Sequence, residues 1–284
     1  MKFDYAKYHA LGNDYIVIDP QIKDIPLTKE VIELICHRNF GVGSDGILYG
    51  PILEDGQFRL RIFNPDGSEA EKSGNGIRIF SRYLFDTGYL SSDDFLINTL
   101  GGVVKVKILN NNASLIQVDM GKATFTSSKI PVAGAVREVI NESFAIDGHE
   151  FKITCVSVGN PHCVILQDEV SKSLAEKFGS LIETNELFPN RINVQFMKVI
   201  DSNNIQIEIW ERGAGYTLAS GSSSSASASA AYRLGLTENK VSVHMQGGVI
   251  DILIDSDGHI HMTGSVTSVS KGVFSSDLRQ QICE

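Results

Sequence analysis

Polar and apolar side chains alternate along several short stretches of the chain. "FRLRIF" (58–63) and "VVKVKIL" (103–109) have the period of two that is typical of β-strands with one buried face. Other short apolar runs are bounded by Gly, Pro, Asn or Asp, which favours strands joined by turns. These further strands are predicted at 15–19, 47–50, 151–159, 163–166, 192–200, 205–210 and 249–254.

Helices are predicted at fewer places: over 28–39, over 173–183, after Ser73 and after Ser220. The last of these, "SGSSSSASASAAYRLG" (220–235), consists almost entirely of Ser and Ala, which predicts a helix buried on every side. A flexible Ser-rich linker is the alternative. The continuation "AAYRLG" keeps helical spacing and stops at a glycine, so we favour the helix.

The order of these elements predicts an α+β protein whose strands are mostly antiparallel, since strands and helices do not alternate as βαβ units do. The two halves also repeat one arrangement. Each has strands, an acidic residue in a turn ("NPDGSEAEK" and "WERGAGYTLA"), Ser-Gly and a helix. We therefore predict one domain over residues 1–122, to which 265–284 returns, and a second over 123–264.

Composition limits the classes of function. In 284 residues, 42% are hydrophobic and 21% charged, as in globular proteins, and the net charge of −9 argues against nucleic-acid binding. No apolar stretch approaches the roughly 20 residues of a membrane span, and no signal peptide is evident, so a cytoplasmic location is expected. The cysteines, at 36, 155, 163 and 283, lack a disulfide-framework spacing and fit a reducing compartment.

The two Ser-Gly helix starts, "SGNG" (73–76) and "SGSS" (220–223), are the candidate chemistry. A helix N-terminus offers free backbone N–H groups and partial positive charge, which favour a carboxylate or phosphate. Gly74 and Gly221 would let a ligand approach the backbone closely. We expect both starts to bind one small anion. A thiol there would have a lowered pKa, whereas a serine hydroxyl is a far weaker acid.

At these residues the chain resembles a known family. The motifs "YHALGNDYIVID", "NFGVGSDGIL", "RIFNPDGSEAEKSGNGIR", "VGNPHCV", "RINVQF", "WERGAGYTLASGSS" and "HMTG" occur in the order found in diaminopimelate epimerases, from about residue 5 to 265. The resemblance implies two pseudo-symmetric domains, each a mostly antiparallel sheet around a central helix, with the active site in the interdomain cleft. It implies epimerisation of LL- and meso-diaminopimelate without cofactor or metal. Family members often form homodimers, so a homodimer is left open.

In this family two cysteines exchange the α-proton, one from each face of the α-carbon. Here Ser73 and Ser220 occupy the matching positions, which predicts substrate binding with poor turnover. The serines are either deliberate replacements or the residues of a natural paralogue with another function. Because every other motif is intact, we favour replacement.

The resemblance also assigns roles to other residues. Glu211 and His162 join Ser73 and Ser220 as catalytic residues, with Arg212 facing the distal carboxylate and Glu211 an ammonium group. Taken singly, the asparagines at 13 and 64 are equally typical of turns, Glu211–Arg212 of a surface ion pair and His162 of a packed core. The expected substrate-binding residues are Asn13, Asn64, Gly74, Asn75, Asn160, Asn193, Glu211, Arg212, Gly221 and Ser222.

Other functions stay open. A racemase of another amino acid, such as histidine, and a catalytically silent ligand-binding paralogue are the two alternatives. A zinc site at Cys155, His162 and Cys163 has no common spacing, and no GxSxG elbow supports a serine hydrolase. "GVGSDG" (41–46) lacks the Lys of a phosphate loop and is expected to form a turn, and "HIHM" (259–262) is expected at a sheet edge.

Overall fold

A computed structural model describes residues 3–54 and 56–283, with the side chain of Cys283 outside the described part. The chain forms two compact units. One runs to Val118 and includes the residues from Gly264 onward, and the other comprises Asp119–Thr263. Among the described residues, no helix has both the length and the apolar character of a membrane span.

The first unit holds two main helices and most of its strands run antiparallel to their neighbours. Strand β2 pairs with β1 antiparallel and with β3 parallel, β3 pairs with β4 antiparallel, and β4 pairs with β6 parallel. Its elements are β1 (Tyr5–Ala10), β2 (Asn13–Ile18), α1 (Lys29–Cys36), β3 (Ile47–Glu54), β4 (Gln57–Phe63), β5 (Glu69–Ala70), α2 (Gly74–Asp86), β6 (Asp94–Thr99), β7 (Gly102–Ile108), β8 (Leu115–Lys122), β18 (Thr267–Gly272) and α5 (Ser276–Cys283).

The second unit repeats this order. Strand β11 pairs with β10 antiparallel and with β12 parallel, β12 pairs with β13 antiparallel, and β13 pairs with β15 parallel. Its elements are a short 3₁₀ turn (Ser127–Lys129), β9 (Glu142–Ile146), β10 (His149–Ser157), β11 (Pro161–Leu166), α3 (Lys172–Glu183), β12 (Asn193–Asp201), β13 (Asn204–Glu211), β14 (Gly215–Thr217), α4 (Gly221–Arg233), β15 (Lys240–Met245), β16 (Gly248–Ile254) and β17 (His259–Ser265).

Counted from β1 in the first unit and from β10 in the second, the internal repeat is therefore strand–strand–helix–three strands–helix–three strands. Helix α1 stands where α3 stands, and α2 stands where α4 stands. An α+β architecture with two pseudo-symmetric units is confirmed, and the sheets are mostly antiparallel as predicted. The parallel pairs recur at equivalent places because each is joined through a helix: β2–β3 by α1, β11–β12 by α3, β4–β6 through α2 and β13–β15 through α4.

Helix α2 is held by a buried apolar face. Ile77, Phe80 and Leu84 follow one another at helical spacing and are fully buried. The helix packs against β1, β2 and β3, and ends at Thr87 before Gly88, whose φ of 77° needs a glycine. Packing of this face against the strands therefore holds α2, including its first residues, in place.

Helix α4 is buried over almost its whole length, as the Ser/Ala composition predicts, so the linker alternative is wrong. It packs against β10, β12 and β16. The buried hydroxyls of Ser225 and Ser229 donate to the carbonyl oxygens four residues earlier, at 2.8 and 2.7 Å. Small side chains thus let strands approach the helix closely, and the hydroxyls of Ser225 and Ser229 stay hydrogen-bonded although they are buried.

Two details differ from the sequence-based picture. Strand β17, which contains "HIHM", pairs with β16 on one side and with β8 on the other, so it is not the sheet edge that we expected. Alternating His and apolar residues indicate that one face of the strand is exposed. An exposed face does not show whether the strand has a neighbour on one side or on both. Short or polar strands, such as β5, β14 and β18, were not predicted. "GVGSDG" does lie in the turn between α1 and β3.

Candidate active site

Ser73 is the N-cap of α2. Its backbone is extended, with φ of −137°, and its hydroxyl oxygen accepts a hydrogen bond from the Gly76 N–H at 3.1 Å. Gly76 has little free space, since a Cβ there would lie 3.3 Å from Ser73 Oγ. Gly74 and Asn75 are the first residues of α2, where backbone N–H groups have no intrahelical acceptor.

The Tyr15 hydroxyl lies 3.4 Å from Ser73 Oγ. Tyr15 belongs to β2 and is buried, so the strand holds its ring in place. The backbone of Gly46 passes close to this ring, because a Cβ at that glycine would lie 2.7 Å from it. Position 73 thus has a polar neighbour on a fixed strand.

A row of side chains runs through the start of α2. Asn75 Nδ2 donates to Asn13 Oδ1 at 3.0 Å, and Arg78 donates to Asn75 Oδ1 at 2.8 Å. Arg78 is fully buried, and burial lowers the pKa of its guanidinium to about 10, which leaves it charged at neutral pH. This buried cation adds positive charge beneath the helix start.

Asn64 serves a turn in this structure. Its Nδ2 donates to the Ser68 hydroxyl at 3.0 Å, and its backbone N–H donates to the Ser68 carbonyl at 2.8 Å. The residue therefore closes the loop from β4 to β5 that leads toward Ser73. Its substrate contact stays a prediction.

Ser220 caps α4 in the same way. Its backbone is extended, with φ of −146°, and its Oγ accepts a hydrogen bond from the Ser223 N–H at 3.4 Å. The Ser222 hydroxyl lies 3.4 Å from Ser220 Oγ. Ser220 is only 4% exposed, whereas Ser73 is half-buried. The two helix starts share their capping geometry but differ in exposure.

His162 is linked to this second helix start through amide side chains. Its Nε2 lies 2.9 Å from Asn160 Oδ1, and Asn160 Nδ2 donates to the Ser222 hydroxyl at 3.4 Å. On the other side its Nδ1 lies 3.3 Å from Gln195 Oε1, and Gln195 donates to the Ser223 hydroxyl at 3.1 Å. The network joins His162 to the first turn of α4 along two routes.

His162 is fully buried, and this burial lowers the pKa of its ring to about 3; the hydrogen bond with Gln195 opposes the shift and the charge of Arg212 adds to it. The ring is therefore neutral at physiological pH. In the described structure its link to Ser220 runs through Asn160 and Ser222, so the geometry favours orientation over direct proton transfer. A catalytic role for His162 stays a prediction.

Asn193 and Arg212 lie together at the neighbouring strand ends. Asn193 Oδ1 accepts from the Arg212 backbone N–H at 3.0 Å, and its Nδ2 donates to the Pro161 carbonyl at 2.8 Å. The Arg212 guanidinium is exposed and donates to the Asn190 carbonyl at 3.2 Å. Half-buried Glu211 ends β13 immediately before it. A free carboxylate could reach this exposed guanidinium.

The cysteines of the second unit lie in its apolar core. Cys155 and Cys163 face each other across β10 and β11 inside the apolar core, and His162, next to Cys163 on its strand, bonds to Asn160 and Gln195 instead. Among the described residues, no cluster of His, Cys, Asp and Glu has metal-binding geometry, and Cys36, Cys155 and Cys163 are free thiols.

The structure adds residues that the sequence reasoning did not select. Two of them share one signal, a polar side chain inside an otherwise apolar strand or helix: Gln195 in "NVQFM" and Arg78 in "GIRIF" are both fully buried. Burying such groups is costly unless they are hydrogen-bonded, so each marks a polar network. The full set is Tyr15, Asp45, Arg78, Gln195 and Ser223.

Comparison with known proteins shows sequence similarity to one family. The family model for diaminopimelate epimerase matches residues 5–126 and 154–269. "Diaminopimelate epimerase 2" of Nostoc sp. is 57% identical over 279 residues, covering 98% of this chain and 97% of the relative. The diaminopimelate epimerase of Desulfitobacterium hafniense is 40% identical over 281 residues, covering 96% and 99%.

A solved structure shows the same fold at low identity. The probable proline racemase from Agrobacterium radiobacter, with bound carbonate, superposes with a TM-score of 0.71 at 12% identity, covering 96% of this chain and 93% of that one. The fold is thus common to several epimerases and racemases, whereas the sequence similarity is to one family. The chain belongs to the diaminopimelate epimerase family.

Proposed function

We propose that this chain binds LL- and meso-diaminopimelate, with Ser73 and Ser220 at the two proton-transfer positions. The observation that supports this most is their common geometry, since each serine caps a buried helix immediately before a glycine. Each is also embedded in the family's motif. The α-carboxylate would accept hydrogen bonds from the first backbone N–H groups of these helices.

The proposed reaction needs no cofactor. With cysteine at both positions, one thiolate removes the α-proton while the other thiol protonates the opposite face of the same carbon, and the roles reverse for the other isomer. The helix starts stabilise the negative charge that develops as the proton leaves. Gly74, Asn75, Gly221 and Ser222 are the proposed backbone donors.

Serine at positions 73 and 220 makes removal of the α-proton less favourable than cysteine does. An unperturbed cysteine has a pKa of about 8.5, which a helix start lowers further, so an appreciable fraction is thiolate at neutral pH. A serine hydroxyl is not ionised there, and both hydroxyls already accept a backbone hydrogen bond. We therefore propose that the chain binds substrate but abstracts the α-proton poorly.

The distal end of the substrate needs its own partners. The exposed guanidinium of Arg212 can pair with the distal carboxylate, and the Glu211 carboxylate has the charge for an ammonium group. Asn13, Asn64, Asn160 and Asn193 supply amide donors and acceptors. The first relatives are all diaminopimelate epimerases, which supports a substrate with an amino-acid group at each end.

Formation of the meso isomer from LL-diaminopimelate tests this function. We expect little product from the chain as it stands and rapid formation by the Ser73→Cys/Ser220→Cys variant. Ser171→Cys is the matched control, because Ser171 is also a serine N-cap, at the start of α3, but has no proposed catalytic role. No product from the double variant would contradict the proposal.

A silent ligand-binding paralogue is the alternative that the two serines leave to be tested. Calorimetric titration of the chain with LL-diaminopimelate separates the two functions. Binding by the chain together with turnover by the double variant indicates a disabled epimerase. Binding without any recovery of turnover indicates the paralogue, because residues other than 73 and 220 would then have diverged.

A further inference from the structure

Asp45 lies at one end of the row of side chains that enters α2. Its Oδ2 accepts from Asn13 Nδ2 at 2.9 Å and from the Asp14 backbone N–H at 3.1 Å. Its Oδ1 accepts from Arg38 at 2.7 Å. The row therefore runs from Asp45 through Asn13 and Asn75 to Arg78.

The two ends of this row have opposite hydrogen-bonding character. An ionised carboxylate only accepts hydrogen bonds and a guanidinium only donates them, whereas an amide side chain can do either, depending on which way round it lies. Asp45 therefore draws the Asn13 NH₂ group toward itself, which turns Asn13 Oδ1 toward Asn75. Arg78 in turn draws Asn75 Oδ1, which turns the Asn75 NH₂ group toward Asn13.

We propose that Asp45 is a positioning residue of the site: through Asn13 it fixes which groups Asn13 and Asn75 present to an amino-acid substrate. This inference rests on the proposed function, in which both asparagines contact the substrate. Each amide uses one N–H and one oxygen lone pair within the row, so each keeps one donor and one acceptor for a ligand. Reversing an amide would exchange those positions.

Arg38 supports Asp45 from the other side. Its guanidinium bonds to Asp45 and also to Asp14, at 2.8 Å, and Lys7 pairs with Asp14 at 2.8 Å. Both carboxylates are thus paired with cations. The ordinary structural explanation is that Asp45 only joins this surface ion-pair network, and the test must separate that role from positioning.

Asp45→Asn is the decisive variant because it keeps the shape of the side chain but can donate as well as accept. Glu69→Gln is the matched control, since Glu69 is likewise hydrogen-bonded to one arginine, Arg61, in the same unit but has no hydrogen bond to either asparagine. The first readout is the side-chain ¹⁵N–¹H signals of Asn13 and Asn75 in the free protein. We expect Asp45→Asn to move both pairs of signals and Glu69→Gln to move neither.

The second readout is ligand affinity. We expect Asp45→Asn to weaken calorimetric binding of LL-diaminopimelate by about tenfold, as for loss of one well-oriented hydrogen bond, and Glu69→Gln to leave it unchanged. In the Ser73→Cys/Ser220→Cys background, KM should rise by the same factor and kcat should change by less than about threefold. A loss of kcat and stability with KM unchanged would indicate a structural role and overturn the proposal.

The amide signals test the positioning role of Asp45, and binding by the parent chain tests the proposed function, so the two claims can fail separately. If the parent chain does not bind LL-diaminopimelate, the proposed function fails, and the amide signals alone decide whether Asp45 orients the row. If the parent binds but Asp45→Asn moves neither the signals nor the affinity, the positioning role is wrong and the function stands. If Asp45→Asn does not fold, Arg38→Gln replaces it, because this substitution alters an exposed side chain. We expect Arg38→Gln to change the amide signals and the affinity in the same direction but by less. No change in either would overturn the proposal.

Discussion

The Ser73 hydroxyl oxygen accepts a hydrogen bond from the Gly76 backbone nitrogen at 3.1 Å, so the residue at the first proposed catalytic position is also a helix cap. Serine is among the best N-cap residues, while a thiol is a weak hydrogen-bond acceptor. Serine at 73 and 220 therefore favours stable helix starts, and cysteine there would favour proton transfer. Helix stability therefore favours a hydroxyl oxygen at these two positions, whereas proton transfer favours a thiol sulfur.

Capping by Ser73 predicts a specific pattern of stability. Ser73→Ala should lower the free energy of unfolding by about 1 kcal/mol, and Ser73→Gly by only a few tenths, because glycine is itself tolerated at an N-cap. Urea denaturation of both variants measures the difference. An alanine variant as stable as the parent would show that the hydroxyl does not cap α2.

Burial of His162 predicts a pH dependence of stability. The pKa of the ring falls from 6.5 to about 3 because the folded protein excludes water from it. The unfolded chain takes up a proton below about pH 6.5 while the folded chain does not, so this stabilisation is complete above 6.5 and is lost as the pH falls toward 3. Between pH 7 and 5 this one group should lower the free energy of unfolding by about 2 kcal/mol.

His162→Gln removes that contribution, so its unfolding free energy should change less between pH 7 and 5 than that of the parent. His149→Gln, at an exposed histidine, serves as the control and should follow the parent. Urea titrations at pH 7, 6 and 5 provide the comparison. Equal pH dependence in all three proteins would mean that the His162 ring is not buried as described.

Gly264 supports the buried guanidinium of Arg78. A Cβ at this glycine would lie 3.0 Å from Arg78 Cζ, and the fully buried arginine has no open space to enter. Gly264→Ala should therefore lower the free energy of unfolding by about 1–3 kcal/mol and weaken LL-diaminopimelate binding through Asn75. Ser265→Ala, at the adjacent exposed residue, should do neither. Unchanged denaturation and binding in Gly264→Ala would contradict this packing.

Arg212 is predicted to recognise the distal carboxylate. In the Ser73→Cys/Ser220→Cys background, Arg212→Ala should raise KM for LL-diaminopimelate by tenfold or more, at about 1.4 kcal/mol per factor of ten. The substitution leaves the backbone N–H that Asn193 accepts from. Arg233→Ala removes an arginine paired with Glu138 in the same unit and should leave KM unchanged. An unchanged KM in Arg212→Ala would place the distal carboxylate elsewhere.

The regular elements could be predicted from the sequence where local patterns determine them. "FRLRIF" and the apolar runs around Val194 and Ile252 form strands, and Ser73 and Ser220 begin helices as predicted. Strands such as β5 and β14 could not be predicted, because two or three residues have no measurable period and depend on a neighbouring strand. Long-range pairing also explains why β17 was misplaced at an edge.

Part of the site could be predicted from the sequence, because some of its residues are neighbours in the chain. Serine, glycine and asparagine at the helix starts are adjacent in the sequence, so Ser73, Gly74 and Asn75 could be selected together. Asp45 is 32 residues from Asn13 and Gln195 is 28 residues from Ser223, and only the fold brings each pair together. A buried polar residue in an apolar stretch indicates that a network exists without revealing its partners.

Exchange of the α-proton of LL-diaminopimelate in D₂O, followed by proton NMR, shows whether residues 73 and 220 are the positions that transfer this proton. We predict that the Ser73→Cys/Ser220→Cys variant replaces this proton by deuterium and forms the meso isomer, while the chain with both serines exchanges it very slowly. The readout observes proton removal itself, so it does not depend on product release. Absence of exchange in the double variant, or rapid exchange by the chain with both serines, would contradict the account.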